Sequence, residues 1–168
     1  MSLVSIVMGS DSDFEVMEEA GKILGEFGVP FEYKLTSAHR TPDACCEFAK
    51  GVEARGVKVL IAGAGYSAHL AGVLAAYTVL PVIGVPLDAS PLKGVDSILS
   101  MGQMPGGVPV ATMTIGRAGA KNAGLFAIEI LAVHDESLRK KLKAYRKLQE
   151  EKISKKDLEI RKRGSKVQ

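Results

Sequence analysis

The 168-residue chain has no tryptophan, and its four tyrosines and five phenylalanines make up only 5% of the residues. A protein that stacks bases or a flavin ring on aromatic platforms draws on a larger stock than this. An FMN-type electron carrier is therefore disfavoured. Cysteine is scarcer still: Cys45 and Cys46 are neighbours. That spacing resists a mutual disulfide and, without nearby histidines, makes no zinc site. Reduced thiols of this kind suit a cytoplasmic setting. Asp, Glu, Lys and Arg are missing altogether from residues 59–87, a run long enough for a bilayer span. Gly63, Gly65, Gly72, Pro81, Gly84 and Pro86 interrupt it, however, and His69 sits near its middle. Two buried strands around a small-residue helix explain the run better than a membrane segment.

The C-terminal part lacks turn residues. All seven prolines and 17 of the 18 glycines precede residue 135, so the remainder reads as one long helix, with a disordered end expected beyond residue 160. The surplus of positive charge sits there too. The net charge of +3 divides into −4 for residues 1–134 and +7 for residues 135–168. Basic character is thus a property of the tail and gives no reason to expect a nucleic-acid partner. Leu138, Leu142 and Tyr145 form one narrow apolar stripe on that helix, suited to docking at a subunit contact.

Apolar runs of strand length occur at residues 3–8, 57–62 and 81–86, with a more mixed one at 31–36 and a fifth at 108–115. The first of these lacks a basic start and runs into Gly9 and two aspartates, as a strand does and a signal peptide does not. Helix-length segments fall between the strands, at 14–27, 42–55 and 68–78, and a further one comes after them at 118–132. Ser12 or Asp13 is placed to cap the first helix, and Thr41 followed by Pro42 to open the second. Gly28 and Gly56 stand where helices stop. Strands alternating with helices imply an α/β fold, a three-layer doubly wound parallel sheet of flavodoxin-like type. The expected organisation is that domain over 1–134, followed by the basic helix and tail over 135–168.

Polar residues collect after the first three strands. Gly9-Ser10-Asp11-Ser12-Asp13 joins a turn, hydroxyls and a helix N-terminus, a combination suited to an anion. Two carboxylates in the same loop would repel a purely anionic ligand, so Asp13 fits sugar hydroxyls better. Ser37-Ala38-His39-Arg40 supplies a guanidinium fork and, beside it, a group that exchanges protons near neutrality. Gly63-Ala64-Gly65-Tyr66-Ser67-Ala68-His69 matches G-x-G-x-x-A, with Asp88 further on as a dinucleotide fingerprint would have it. Such fingerprints open the first βα unit, whereas this one comes after the third strand. The other reading is that small residues leave room for something small and apolar, with His69 a second polar group or a capping histidine. In a sheet ordered 2-1-3-4-5 the three loops meet over one crevice at the carboxyl ends of the strands. A receiver-type signalling module needs an acceptor aspartate after the third strand, where Ala62-Gly63-Ala64-Gly65 stands.

These loops, with Asp96-Ser97, Gln103-Met104-Pro105, residues 107–112 and Ala118-Gly119-Ala120-Lys121-Asn122-Ala123, closely resemble the catalytic-subunit family of phosphoribosylaminoimidazole carboxylase, in its 5-(carboxyamino)imidazole ribonucleotide mutase branch. The likeness covers roughly residues 4–132. It implies a cytoplasmic homo-octamer of flavodoxin-like subunits. It also implies isomerisation of a ribonucleotide in purine synthesis with no cofactor or metal, and without membrane or nucleic-acid partners. Carried over by position, Ser10, Ser12, Asp13, Ser37, Ala38 and Arg40 would bind substrate, Asp13 at the ribose and Arg40 at the phosphate. His39 would carry protons, and Ala64, Gly65, His69 and Leu70 would enclose the reacting carboxylate. The family's direct carboxylases, which use carbon dioxide, resemble the chain less, typically having Lys in place of Arg40 and Asn near His69. A flavodoxin-like nucleotide-binding module is the alternative of another class. Where the family commonly reads G-A-G-G-A-A-H-L-P-G, this chain carries Tyr66, Ser67 and Ala71, and Gly102 replaces a common Val before Gln103.

Overall fold

The structure is a computed structural model that describes residues 1–164. The chain forms two compact units, Met1–Ile130 and a second beginning at Leu131.

The first unit is built on a five-stranded parallel sheet: β1 (Val4–Met8), β2 (Phe31–Leu35), β3 (Val59–Ala64), β4 (Val82–Pro86) and β5 (Ala111–Thr112), ordered β2-β1-β3-β4-β5. Every residue of β1, β3 and β4 is buried, as both faces of a central parallel strand must be. At the edge, β2 is half open. Helices α1 (Phe14–Phe27), α2 (Pro42–Gly51), α3 (Leu70–Tyr77) and α4 (Val95–Gly102) make the crossovers, and α5 (Arg117–Ala132) follows the last strand. Successive strand residues point to opposite faces. Val7, Leu60, Ala62 and Val82 therefore join Cys45 and Ala49 of α2, Leu70 and Leu74 of α3 and Met101 of α4 in one core cluster. On the other face, Met17 of α1 packs where a Cβ on Gly63 would lie, and Gly124 of α5 meets Ala20 and Ile23 of α1.

Several boundaries differ from the sequence reading, each for a local reason. The third strand runs two residues later than expected and takes in Gly63 and Ala64, because its register with Met8 and Pro86 extends that far. The second helix ends at Gly51, and a turn closed by the Gly56 N–H on the Glu53 carbonyl carries the chain to Gly56 at φ 84°. Only Ala111 and Thr112 of the fifth run pair with β4. Helix α4 has no counterpart in the sequence reading. Asp13 begins α1 without using its side chain as a cap, whereas Gly28 stops that helix at φ 73° as expected.

The second unit is dominated by α6 (Glu136–Gly164). The Asp135 carboxylate accepts the Leu138 N–H at 3.0 Å and so caps the start of the helix. The Arg139 guanidinium donates to the carbonyls of Ala132 and Val133 at 3.1 and 2.9 Å. Leu138 and Leu142 are its buried residues. Where a disordered end is expected beyond residue 160, helix instead continues to Gly164. The i,i+4 pair Arg161–Asp157 and a basic last turn both favour that end. Residues 165–168 lie outside the described residues. Among the described residues no helix is long and apolar enough to cross a membrane.

Candidate active site

Three loops come together because three strands end level. Met8 stands in register with Leu35 on one side and Gly63 on the other, so the chain leaves β1, β2 and β3 at one edge. A fourth segment joins them where the Leu87 N–H bonds the Ala64 carbonyl at 3.0 Å. Ser97, buried in α4, bonds the Leu87 carbonyl at 2.8 Å and pins that exit. The four segments surround a cavity of about 680 Å³.

The first loop is organised by Asp13, which is only 8% exposed. Its Oδ2 accepts the Ser10 N–H at 3.1 Å. Ser12 Oγ stands 2.9 Å from Ser10 Oγ, and Ser10 Oγ in turn reaches Asp11 Oδ1. Burial raises the Asp13 pKa above its usual value; the Ser10 and Ser12 hydrogen bonds and the nearby Arg40 charge offset this only in part.

In the second loop Thr41 does not cap α2 with its hydroxyl. Its Oγ1 instead accepts the Ser37 N–H at 2.9 Å, and its N–H donates to the Ser37 carbonyl. Ser37 Oγ accepts the Arg40 N–H at 3.2 Å. This closed turn presents Ala38, His39 and Arg40 together. Arg40 Nη2 donates to the Gly9 carbonyl at 2.7 Å, tying the second loop to the first. Among the described residues no carboxylate pairs with Arg40 at ion-pair distance, leaving its other N–H groups for a ligand.

The third loop carries the feature that links residues 30 apart. His39 Nε2 lies 2.8 Å from His69 Nδ1, with the rings edge to face. One proton between those nitrogens makes the bond, so the pair can hold one positive charge and stay joined. His69 begins α3 without capping it; its imidazole is used on His39. The glycines of the fingerprint have packing reasons. A Cβ on Gly63 would fall 2.3 Å from Met17 Sδ, and one on Gly65 would fall 2.6 Å from the Ala89 Cβ. Asp88 does not line the cavity.

Ser10, Ser12, Asp13, Ser37, Ala38, His39, Arg40, Ala64, Gly65, His69 and Leu70 all border this one cavity. Gly9, Tyr66 and Ser67, named in the sequence reading as a loop glycine and as departures from the family pattern, border it too, as does Ala89, which sequence reasoning does not name. Ala89 contributes almost no side chain, so no chemical signal marks it. Tyr66 does carry a signal, a bulky residue in a row of small ones. Residues 103–105, 107–112 and 118–123 do not line the cavity. Among the described residues no three His, Cys, Asp or Glu side chains gather as a metal-ligating group.

The profile of the AIR carboxylase family matches residues 3–152. The N5-carboxyaminoimidazole ribonucleotide mutase of Bacillus subtilis is 59% identical over 140 residues, 83% of this chain and 86% of that one. Its counterpart from Pyrococcus horikoshii is 51% identical over 162 residues, covering 96% and 90%. The crystal structure of Treponema denticola PurE superposes with a TM-score of 0.84 at 30% identity, covering 94% of this chain and 97% of that one.

Proposed function

Since the chain belongs to the AIR carboxylase family, we propose that it acts in purine synthesis as a 5-(carboxyamino)imidazole ribonucleotide mutase. It moves the substrate's carboxylate from the exocyclic nitrogen to ring carbon 4, without ATP. The observation that carries this reading is the His39–His69 pair at 2.8 Å on the wall of the cavity. A carbamate loses carbon dioxide once its nitrogen is protonated, and the aminoimidazole left behind is a carbon nucleophile. His39 donates the proton to nitrogen, and the C–N bond breaks with release of carbon dioxide. Carbon 4 then attacks the carbon dioxide, and the ring proton it gives up returns to His39. No atom is gained or lost. His69 orients the imidazole through its Nδ1.

Binding comes from the other loops. Arg40, anchored by one N–H on Gly9, offers the remainder of its fork to the phosphate. Asp13 takes the ribose hydroxyls, with Ser10, Ser12 and Ser37 beside it. Ala38, Ala64, Gly65 and Leu70 make a small wall around the reacting carboxylate, where excluded water favours recapture of carbon dioxide. The same reading includes a cytoplasmic homo-octamer, acting on a free ribonucleotide rather than on nucleic acid or at a membrane. The reduced thiols of Cys45 and Cys46 and the exposed apolar side chains of Leu92, Val95 and Leu99 support it.

The test is incubation of the full chain with carboxyaminoimidazole ribonucleotide, with and without bicarbonate, and analysis of the products. Product independent of bicarbonate is expected; dependence on it would assign direct carboxylation instead. His39→Asn should lower turnover by roughly 10²–10⁴-fold while ribonucleotide affinity holds. Arg40→Ala should do the reverse, weakening affinity by roughly tenfold or more. Near-normal turnover in His39→Asn would remove the imidazole from the chemistry.

A further inference from the structure

Tyr66 combines four properties that the binding and proton-transfer roles leave unused. Its backbone is left-handed at φ 54°, a conformation shared among the described non-glycine residues only by Lys93. A side chain there costs about 1–2 kcal/mol, which glycine avoids. The residue borders the cavity and yet is 59% exposed. Its ring and hydroxyl have no partner among the described residues. Finally, among the cavity's lining residues it is the one phenol ring, set between the short side chains of Ala64, Gly65, Ser67 and Ala89, while the other bulky lining groups, His39, Arg40 and His69, are already held by hydrogen bonds.

The backbone beneath the ring is held fast. Gly65 is seated so closely against Ala89 that a Cβ would approach its methyl to 2.6 Å, and His69, two residues past Ser67, bonds the Ser67 carbonyl at 2.7 Å through its own N–H. A strained position persists only where its surroundings fix it. What remains free is rotation of the side chain, which exposed residues complete in picoseconds to nanoseconds. A large apolar surface is thus free to turn at the border of the cavity.

From these observations, and resting on the mutase reading above, we propose that Tyr66 is the cover of the reacting end of the site. Its ring folds over the bound ribonucleotide and holds the released carbon dioxide against the imidazole until carbon 4 captures it. Carbon dioxide is small, uncharged and only a weak hydrogen-bond acceptor, so a physical barrier does more to keep it than polar contacts. The ring exchanges no atom or proton with the substrate. It acts by area and by exclusion of water, so the aromatic face matters and the hydroxyl does not.

The experiment follows the carboxyl carbon. The full chain is given substrate labelled with ¹³C in the carbamate, in buffer containing unlabelled bicarbonate. Label in the product and aminoimidazole ribonucleotide released are both measured. Wild type and Tyr66→Phe should retain the label. Tyr66→Gly and Tyr66→Ala should lose roughly tenfold more label per turnover, a change in partitioning that a small difference in barrier produces. Tyr66→Gly should at the same time melt higher than wild type, because the left-handed strain is gone, whereas Tyr66→Ala keeps that strain. Gain of stability with loss of retention separates a cover from a structural residue. Label retained in Tyr66→Gly while the wild type turns over would overturn the cover and leave the mutase reading intact. Equal loss in Tyr66→Phe would also overturn it. No product from the wild type would overturn both.

Discussion

Asp13 is the residue where folding and the proposed binding role pull in opposite directions. Its carboxylate is nearly buried, and burial raises its pKa in the folded chain despite the Ser10 and Ser12 hydrogen bonds. In the unfolded chain it ionises near 3.8. Between 3.8 and the raised folded value, the folded state holds a proton that the unfolded state has released. Its contribution therefore favours folding as pH falls through that window, and opposes folding above it, where the buried group is charged in both states. Asp13→Asn removes the charge and keeps an oxygen for the Ser10 N–H. The variant should melt higher than wild type at pH 7, and the gap should close as pH falls through the folded pKa towards 3.8. Its affinity for the ribonucleotide should fall. Thermal melts of both proteins across pH check this. An Asp13→Asn protein less stable than wild type at pH 7 would mean that the carboxylate's hydrogen bonds outweigh its burial. A carboxylate kept where it opposes folding is what a binding group looks like.

The elements are spaced by small residues, and the glycines that matter are those with no room for a methyl. At the start of α5, a Cβ on Gly119 would lie 1.7 Å from the Thr114 carbonyl oxygen. Backbone cannot swing aside as a side-chain end can. Gly119→Ala should therefore cost about 1–3 kcal/mol, a Tm loss of roughly 2–10 °C for a chain of this size. Gly25, exposed on α1, has nothing within 4 Å of that position. Gly25→Ala should stabilise by about 0.5–1 kcal/mol through the lower entropy of the unfolded chain. Calorimetry on the pair checks both signs at once; a loss in Gly25→Ala as large as that in Gly119→Ala would show that contact geometry is not the cause. The same physics explains what could be read in advance. Helix α1 is legible at both ends, since a buried stripe of Met17, Ile23 and Leu24 is followed by a glycine stop. Helix α4 is not, because Val95 and Leu99 face outward and Pro91, Gly102 and Pro105 crowd its ends, so no clean periodicity appears. In the site, hydroxyl, imidazole and guanidinium groups announce themselves by type. The contact between His39 and His69, and the approach of Ala89, depend on strand register and on the Leu87–Ala64 bond, which no single loop encodes.

At the scale of the whole molecule the question is what a strongly basic C-terminal helix is for. Residues 135–168 carry a net +7 against −4 for the rest, yet the groups proposed to hold the substrate all belong to the first unit. Helix α6 is locally well made, with its Asp135 cap, the Arg139 clamp on Ala132 and Val133 and the Lys140–Glu136 and Arg161–Asp157 pairs. Exposed pairs of that kind contribute a few tenths of a kcal/mol each, enough to keep a helix formed and too little to bind a ligand tightly. Leu138 and Leu142, expected to dock at a subunit contact, are already buried within the chain, so the apolar area α6 has left to bury is that of Leu148, Ile153, Leu158 and Ile160, all exposed. We therefore assign α6 to assembly and not to chemistry. Truncation after His134 should make the proposed octamer dissociate at concentrations where the full chain stays assembled, as read by light scattering over a dilution series. Turnover per site should persist wherever the truncated chain remains assembled. An octamer of unchanged stability would defeat the assignment, and a loss of turnover without loss of assembly would move α6 into the site. Salt separates the two parts of the helix. With those exposed apolar side chains dominant, dissociation of the full chain should shift little with ionic strength; a strong shift would transfer the contact to the basic face, whose charges salt screens.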